Sequence, residues 1–229
     1  MLQNSYTVVL VLKSGGNYDF SDVELLVFHL RKYWNNSVPL RILCLYDKIT
    51  QPYDLIDVTL LPMENHWRGW WSKMNLFSPT LDEYRPFLYI DLDTAIVGDI
   101  SGLVSKLKNV FIGLEDFYRP GKLGSGIMWL PKNNEKVKAV WKTWMINPSK
   151  AMMKFHGDQD FICAVNCADT FFQKITKEII TFKPKSGWVK TIPMNVSVIC
   201  FHGKPKIPEA AKTVAWVNTY IKENDEQES

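Results

Sequence analysis

The sequence is constrained most strongly by residues 85–97, where an apolar run leads directly into two carboxylates. The run is rich in aromatic and β-branched residues, which is typical of a buried strand. Asp91 and Asp93 lie one residue apart, at the point where such a strand would end. Carboxylates avoid the interior unless they are paired or bound to a cation. The pattern therefore indicates a hard divalent metal at the ligand edge of an α/β sheet, with two solvated turn aspartates as the alternative.

The segments around this run predict an α/β fold with a mixed, mainly parallel central sheet flanked by helices. Residues 6–13 and 40–46 are short apolar runs that predict strands. Between them, apolar residues recur at helical spacing over residues 22–34, and Ser21 and Glu24 have the spacing of a capping box. Two strands joined by one helix predict a right-handed parallel βαβ unit, as in Rossmann-like sheets. Further strands are predicted at 58–61, 110–114, 127–130 and 196–201, and further helices at 100–107, 135–146, 157–165 and 210–222.

The composition is that of a globular protein and argues against two classes of partner. Of the 229 residues, 46% are hydrophobic and 22% are charged, and the net charge is only +3. No dense run of Lys and Arg is present, so no nucleic acid partner is expected. No signal-peptide pattern and no stretch long enough to span a bilayer is present, so no integral membrane segment is expected. Four cysteines in mostly apolar stretches indicate reduced thiols and a cytoplasmic location.

Two polar segments that precede Asp91 are candidate ligand contacts. The loop after the first strand begins at Lys13 and contains Gly15 and Gly16, which allow a backbone to approach a ligand closely. An ordinary connecting loop is the alternative. The second segment has three tryptophans among residues 67–71, followed by Lys73 in a short predicted helix. The tryptophans could form a sugar-stacking surface or part of the core, and the lysine could face phosphate or solvent.

Three segments that follow Asp93 are also candidates. Ser125 and Gly126 lead into the strand predicted at 127–130. Residues 157–160 read Gly-Asp-Gln-Asp and open a predicted helix, where acidic residues are also favoured by the helix dipole alone. Residues 202–204 read His-Gly-Lys directly after a predicted strand, which places them to reach a ligand. A hydrogen-bonded structural histidine is the alternative for His202.

In this order the segments resemble the GT-A glycosyltransferases, most closely the family 8-like branch. Residues 88–94, LYIDLDT, are similar to the metal strand of that family, and residues 201–206, FHGKPK, are similar to its late His-Gly motif. The family often continues Lys-Pro-Trp, whereas this chain continues Lys206-Ile207-Pro208, so the donor contact of that Trp is not carried over. The resemblance implies one GT-A domain over 1–222, with a nucleotide-binding half at 1–95, a sugar and acceptor half at 96–222, and a polar tail at 223–229.

The resemblance also implies roles for individual residues. Asp91, Asp93 and His202 would hold a divalent cation, and mixed carboxylate and imidazole ligands favour Mn²⁺ over Mg²⁺. Asp158, Gln159 and Asp160 would lie near the anomeric carbon and the sugar hydroxyls. The remaining implied residues would contact the donor: Lys13, Gly15, Gly16 and Asp47 at the base and ribose, Lys73, Gly203 and Lys204 at the diphosphate or sugar, and Ser125 and Gly126 in the sugar pocket.

The implied function is metal-dependent transfer of a sugar from a nucleotide-sugar, with UDP as the commonest nucleotide, to an unknown glycan, lipid or protein acceptor. The family 8-like enzymes transfer with retention of the anomeric configuration. Two alternatives stay open. Asp91 and Asp93 also resemble the first motif of haloacid-dehalogenase-like Mg²⁺-dependent phosphatases, as nucleophile and acid/base. The third possibility is a protein that binds nucleotide-sugars without catalysis.

Overall fold

The computed structural model describes residues 5–47, 55 and 57–225, which form two β-sheets and the helices packed on them. The strands are β1 Tyr6–Leu12, β2 Leu40–Tyr46, β3 Val58–Pro62, β4 Phe87–Ile90, β5 Thr94–Ile96, β6 Ile112–Glu115, β7 Leu123–Leu130, β8 Thr170–Phe171, β9 Ile179–Thr181 and β10 Val198–Cys200. The α-helices are α1 Phe20–Tyr33, α2 Ser101–Val104, α3 Glu135–Ile146, α4 Pro148–Lys154, α5 Asp158–Asn166, α6 Ile207–Ala211 and α7 Ala215–Asp225. Short 3₁₀ helices lie at Gly69–Phe77, Pro79–Tyr84 and Phe172–Lys174.

The predicted mixed, mainly parallel sheet is confirmed. Within the described residues the larger sheet has seven strands in the order β3-β2-β1-β4-β7-β6-β8. Strands β3, β2, β1 and β4 run parallel to one another, and β7 is antiparallel to both of its neighbours. Because β1 lies between β2 and β4, the strand order reverses at β1, and the carboxyl ends of β1 and β4 border one crevice. Ligands of open α/β sheets bind at such a crevice.

The predicted βαβ unit is present, but its helix begins earlier than predicted. Helix α1 starts at Phe20, and Asp19 caps it by accepting a hydrogen bond from the backbone N–H of Ser21 at 2.8 Å. The Asp22 carboxylate in turn accepts from the backbone N–H of Asp19 at 2.9 Å. The capping pair is therefore Asp19 and Asp22, because a carboxylate at the N-cap satisfies the same unpaired donors as the serine that the spacing suggested.

The run of residues 85–97 does not stay in one sheet. Strand β4 ends at Ile90 in the larger sheet, and β5 begins at Thr94 in a second sheet with the order β5-β10-β9. Strand β10 pairs antiparallel with β5, so that Cys200 lies opposite Thr94 and the backbone N–H of Phe201 donates to the Asp93 carbonyl oxygen at 2.8 Å. Because of this register, the segment after Cys200 lies beside Asp91 and Asp93, the two carboxylates between the sheets.

The end of the described chain also differs from the prediction. The single helix predicted at 210–222 is two helices, α6 and α7, and Glu223 belongs to α7, where its carboxylate lies 2.7 Å from the Lys32 ammonium group. Residues 226–229 of the predicted polar tail lie outside the described residues. Within the described ranges, no helix is both long and apolar enough to cross a membrane. The cytoplasmic location stays a prediction.

Helix α7 is held on α1 by a buried histidine. The His29 ring stacks on the Tyr220 ring with centroids 3.6 Å apart, and His29 Nε2 donates to the Tyr220 carbonyl oxygen at 2.8 Å. The other ring nitrogen, Nδ1, has no hydrogen-bond partner among the described residues. Burial lowers the pKa of His29 to about 4, although the Tyr220 carbonyl and Glu223 favour the charged form. The folded protein therefore keeps this imidazole neutral.

We predict that protonation of His29 opposes folding in acid. The unfolded chain takes up this proton near pH 6.5 and the folded chain only near pH 4, so stability is present above pH 6.5 and is lost as the pH falls through this window. The loss is about 3 kcal/mol at most. Urea unfolding of wild type and His29→Phe between pH 7.5 and 4 measures it. The variant should depend less steeply on pH, and equal slopes for the two proteins would contradict the assignment.

Candidate active site

A cavity of about 800 Å³ lies at the carboxyl ends of β1 and β4. Four segments distant in sequence contribute its walls: the loop after β1, the start of the 3₁₀ helix Gly69–Phe77, the residues after β4, and the loop after β10. The described residues that line it include eight of those predicted from the sequence: Lys13, Gly15, Gly16, Lys73, Asp91, Asp93, Gly203 and Lys204. The sheet topology therefore brings together most of the predicted donor-binding residues.

Asp91 lies directly after β4 and is neutralised by a lysine. Its backbone N–H donates to the Gly126 carbonyl oxygen at 2.8 Å, which fixes the residue against β7. Its Oδ2 accepts from the Lys73 ammonium group at 2.7 Å, and its Oδ1 accepts a short hydrogen bond from the Tyr89 hydroxyl. Burial raises the pKa of Asp91 to about 6, and the charge of Lys73 opposes this rise. Lys73 is thus the cation that allows a carboxylate at this position.

Asp93 is neutralised by a second lysine, which the sequence reasoning missed. The Lys206 ammonium group donates to Asp93 Oδ2 at 2.7 Å and lies 5.1 Å from the centre of the Tyr18 ring. Burial and then the charge of Asp93 raise the pKa of the Tyr18 phenol well above its ordinary range. Tyr18 and Lys206 both line the cavity. The one available signal for Lys206 was its place in the same basic loop as Lys204.

The loop after β1 is held in place by Asp47. The Asp47 carboxylate accepts from the Lys13 ammonium group, from the Ser14 backbone N–H at 2.8 Å and from the Ser14 hydroxyl at 3.0 Å. Gly15 has a φ of +73°, a left-handed conformation that glycine adopts without strain. Asp47 is not among the described residues that line the cavity, so it fixes the loop while the loop backbone faces the ligand space.

His202 is held by residues other than the two aspartates. Its Nε2 lies 2.7 Å from the Thr181 hydroxyl, and its ring stacks on Phe117 with centroids 5.5 Å apart. Lys183 supports the same loop by donating to the backbone carbonyl oxygens of His202 and Lys204, the latter at 2.6 Å. The Lys204 side chain is 86% exposed, and its ammonium group lies 3.7 Å from Glu209. Lys204, the lysine of this loop predicted to contact the donor, therefore lies at the rim of the cavity.

The three predicted catalytic residues at the start of α5 contact two different groups of residues. Asp158 is buried with its Oδ2 4.0 Å from the Lys73 ammonium group, and this oxygen has no hydrogen-bond partner among the described residues. Gln159 Nε2 lies 3.4 Å from Asp116 Oδ2, and Asp160 accepts from Arg119 at 3.1 Å. Asp158 thus joins the charged centre around Lys73, whereas Gln159 and Asp160 face the loop of residues 116–119.

Asp116 organises that loop and was not singled out from the sequence. Its carboxylate accepts from the backbone N–H groups of Tyr118 and Arg119, at 2.9 and 3.0 Å, and from the Arg119 guanidinium at 2.9 Å. Burial acts to raise the pKa of Asp116, but these hydrogen bonds outweigh it and hold the pKa below its usual range. No periodic or motif signal marks Asp116, since its partners come from its own turn and from α5.

Ser125 and Gly126 lie inside β7 rather than in a loop before it. Ser125 is buried, and a Cβ atom added at Gly126 would lie 3.4 Å from Asp91 Oδ2. Neither residue is among the described residues that line the cavity. Glycine at 126 leaves room for the carboxylate beside the neighbouring strand. The sugar-pocket role of the two residues stays a prediction.

The carboxylates of Asp91 and Asp93 supply the oxygen ligands that Mn²⁺ and Mg²⁺ prefer, but both already bond lysines. Across residues 5–47, 55 and 57–225, no group of three His, Cys, Asp or Glu side chains is arranged to hold a metal ion. Lys73 bonds one oxygen of Asp91, Lys206 bonds one oxygen of Asp93, and His202 bonds Thr181. A divalent cation at Asp91 and Asp93 therefore competes with the two ammonium groups.

The comparison with known proteins identifies the fold. No protein-family model and no curated protein matches the chain. The apo structure of WbbM, a bifunctional glycosyltransferase, superposes with a TM-score of 0.62 over 95% of this chain and 51% of that chain, at 12% identity. The chain has a glycosyltransferase fold. Two structures of the glycosyltransferase GlyE of Streptococcus pneumoniae TIGR4 each superpose with a TM-score of 0.61 over 95% of this chain and 60% of that chain. The sequence identity is 11% for one of them and 13% for the apo form.

This chain thus spans about half to three-fifths of the length of these glycosyltransferases. At such low sequence identity the likeness concerns the fold. The chemistry of the site is argued from its own residues.

We predict that Lys73 is required for stability because it lies between two carboxylates. Lys73→Met leaves Asp91 and Asp158 without their shared cation, which should lower the free energy of unfolding by about 2–4 kcal/mol. Urea unfolding at pH 7.5 measures this change. Lys138→Met is the matched control, since its ion pair with Glu135 is exposed and its loss should change the stability little.

Adding Asp91→Asn to Lys73→Met removes one of the unpaired charges and should recover part of the lost stability. Equal losses in Lys73→Met and Lys138→Met, or no recovery in the double variant, would contradict this role for Lys73.

Proposed function

We propose that the chain transfers a sugar from a nucleotide-sugar, with a UDP-sugar as the first candidate, to a hydroxyl acceptor in a GT-A-type site. One observation carries the proposal. Two ammonium groups, of Lys73 and Lys206, converge from separate segments on Asp91 and Asp93 at the wall of one cavity. The cavity volume, about 800 Å³, lies in the range of sites that enclose a small molecule.

The charges in this cavity suit a diphosphate leaving group. In sugar transfer the diphosphate gains negative charge as the bond to the sugar breaks, and cations already in place stabilise that charge. Lys73 and Lys206 carry two positive charges, and Asp91 and Asp93 carry two negative charges. The four groups together are neutral, so a bound diphosphate needs a further cation.

A divalent cation, Mn²⁺ or Mg²⁺, is therefore part of the proposal. Asp91 and Asp93 would hold it, with His202 as the third ligand that the resemblance implies. When bound, it would neutralise charge on the diphosphate. The Lys73 and Lys206 ammonium groups, displaced from the carboxylates, would then donate hydrogen bonds to the phosphate oxygens.

The sugar would lie toward the start of α5. Asp158 has a buried Oδ2 without a hydrogen-bond partner among the described residues, 4.0 Å from the Lys73 ammonium group. A carboxylate at this distance from the phosphate-binding cation is suited to stabilise positive charge on the anomeric carbon. Transfer with retention to a glycan, lipid or protein acceptor completes the proposal.

The phosphatase alternative is disfavoured by the hydrogen bonds of Asp91. A nucleophilic carboxylate attacks with a free oxygen, whereas Asp91 Oδ1 and Oδ2 accept from Tyr89 and Lys73. The phosphatase motif also normally follows the first strand, and Asp91 follows β4. Hydrolysis of p-nitrophenyl phosphate that depends on Mg²⁺ and is abolished by Asp91→Asn would instead favour a phosphatase.

We predict that UDP or another nucleoside diphosphate raises the melting temperature when Mn²⁺ is present, because a ligand that binds only the folded state stabilises it. Asp91→Asn and Asp93→Asn should each abolish the Mn²⁺-dependent part of the shift, and His202→Ala should weaken it. Thermal melting with UDP, GDP and their common sugar conjugates, with Mn²⁺ or with EDTA, measures these effects.

Lys206→Met should affect nucleotide binding and metal binding in opposite directions. It should weaken UDP binding by roughly tenfold, as for a lost charged hydrogen bond. In the absence of nucleotide it should tighten Mn²⁺ binding, because the competing ammonium group is gone.

Tight donor binding without transfer or donor hydrolysis across a broad acceptor panel would identify a binding protein. An unchanged Mn²⁺-dependent shift in His202→Ala would remove His202 from the metal site.

A further inference from the structure

Trp70 is an exposed indole at the edge of the active-site cavity. Trp70 is 53% exposed, whereas the next residue, Trp71, is only 3% exposed. Trp67 and Trp71 both pack on Trp144, with ring centroids 5.1 and 5.2 Å apart. Two of the three clustered tryptophans are therefore part of the core, and Trp70 alone of these three faces the cavity.

The position of Trp70 is fixed by the segment that opens α5. A Cβ atom added at Gly157 would lie 3.3 Å from Trp70 Nε1, so the absence of a side chain at 157 permits the close approach of the indole. The His156 ring lies beside it, with centroids 6.2 Å apart and planes tilted by 34°. The next residue after Gly157 is Asp158, which approaches Lys73. A flat aromatic surface is thus held next to the residues that would perform the transfer.

Exposure alone does not distinguish Trp70, since Trp188 is also exposed; its place at the cavity does. A large side chain that is exposed and held between a glycine and a histidine at a cavity rim is suited to ligand contact. Aromatic rings at such rims provide apolar contact on the face while polar groups nearby fix orientation.

We propose that the exposed face of Trp70 binds the pyranose ring of the acceptor. This inference rests on the proposed transferase function and identifies the acceptor as a glycan or glycoside. One face of a pyranose is formed by C–H groups, which can pack on the indole, while its hydroxyls remain free to bond polar groups at the rim such as the exposed His156. In the proposed function the nucleotide and diphosphate lie between the loop after β1 and Lys206, and the donor sugar lies against Asp158, which is buried. The exposed rim at Trp70 is then left for the second substrate.

The test uses the full chain with UDP and Mn²⁺, and a panel of methyl glycopyranosides of glucose, galactose and N-acetylglucosamine as probes. Saturation-transfer-difference NMR should detect contact with the C–H face of at least one probe in the wild type. Trp70→Ala should weaken that probe by roughly tenfold, and Trp70→Phe should restore part of the affinity because a ring remains. Trp188→Ala is the matched control, since Trp188 is also exposed (44%) but does not belong to the described lining of the cavity.

The outcomes separate this inference from the transferase proposal. Absence of probe contact in the wild type, or contact that persists in Trp70→Ala, overturns the acceptor site even if UDP binds normally. A loss in Trp70→Ala of affinity for UDP-sugars relative to UDP would assign the indole to the donor sugar and would also overturn it. Failure of the wild type to bind any nucleotide, with Trp70-dependent glycoside contact intact, overturns the transferase proposal and leaves the pyranose site standing.

Discussion

Two carboxylates that share one sheet edge need cations, and the two lysines that supply them determine how the site is built. Asp91 and Asp93 follow β4, and burial disfavours the charged form of Asp91, as its raised pKa indicates. Lys73 comes from the 3₁₀ helix before β4, and Lys206 comes from the loop after β10. Each ion pair ties a distant segment to the same two residues. The two ion pairs therefore join segments that wall the cavity.

The change of sheet between β4 and β5 is what makes this arrangement possible. If residues 85–97 formed one continuous strand, both carboxylates would lie within one sheet and the loop after β10 would have no edge to join. Since β5 pairs with β10, the backbone of Phe201 bonds to Asp93, and the next five residues reach Lys206 beside the carboxylate. Pairing in the small sheet thus sets the position of the Lys206 ammonium group beside Asp93.

The sequence was sufficient for the features that local pattern controls. Apolar runs and helical spacing predict β1, α1, β2 and β4, and the rule that ligands bind at the carboxyl ends of parallel strands predicts the edge where Lys13, Asp91 and Asp93 meet. The change of sheet could not be predicted, because residues 85–97 are apolar on both sides of the carboxylates. Lys206 could not be assigned either, since its role depends on a contact with a residue more than a hundred positions away, and Asp116 carries no motif signal. The split of the three tryptophans between core and cavity depends on tertiary packing in the same way.

A crystal structure of the chain with UDP and Mn²⁺ tests the central claim most directly. The claim predicts that the diphosphate lies between the loop after β1 and the Asp91–Asp93 segment, with the ammonium groups of Lys73 and Lys206 at hydrogen-bonding distance from its oxygens. It also predicts that Lys206 has left the Asp93 carboxylate. A nucleotide bound outside this cavity, or a diphosphate that contacts neither lysine while both remain on their carboxylates, would contradict the claim.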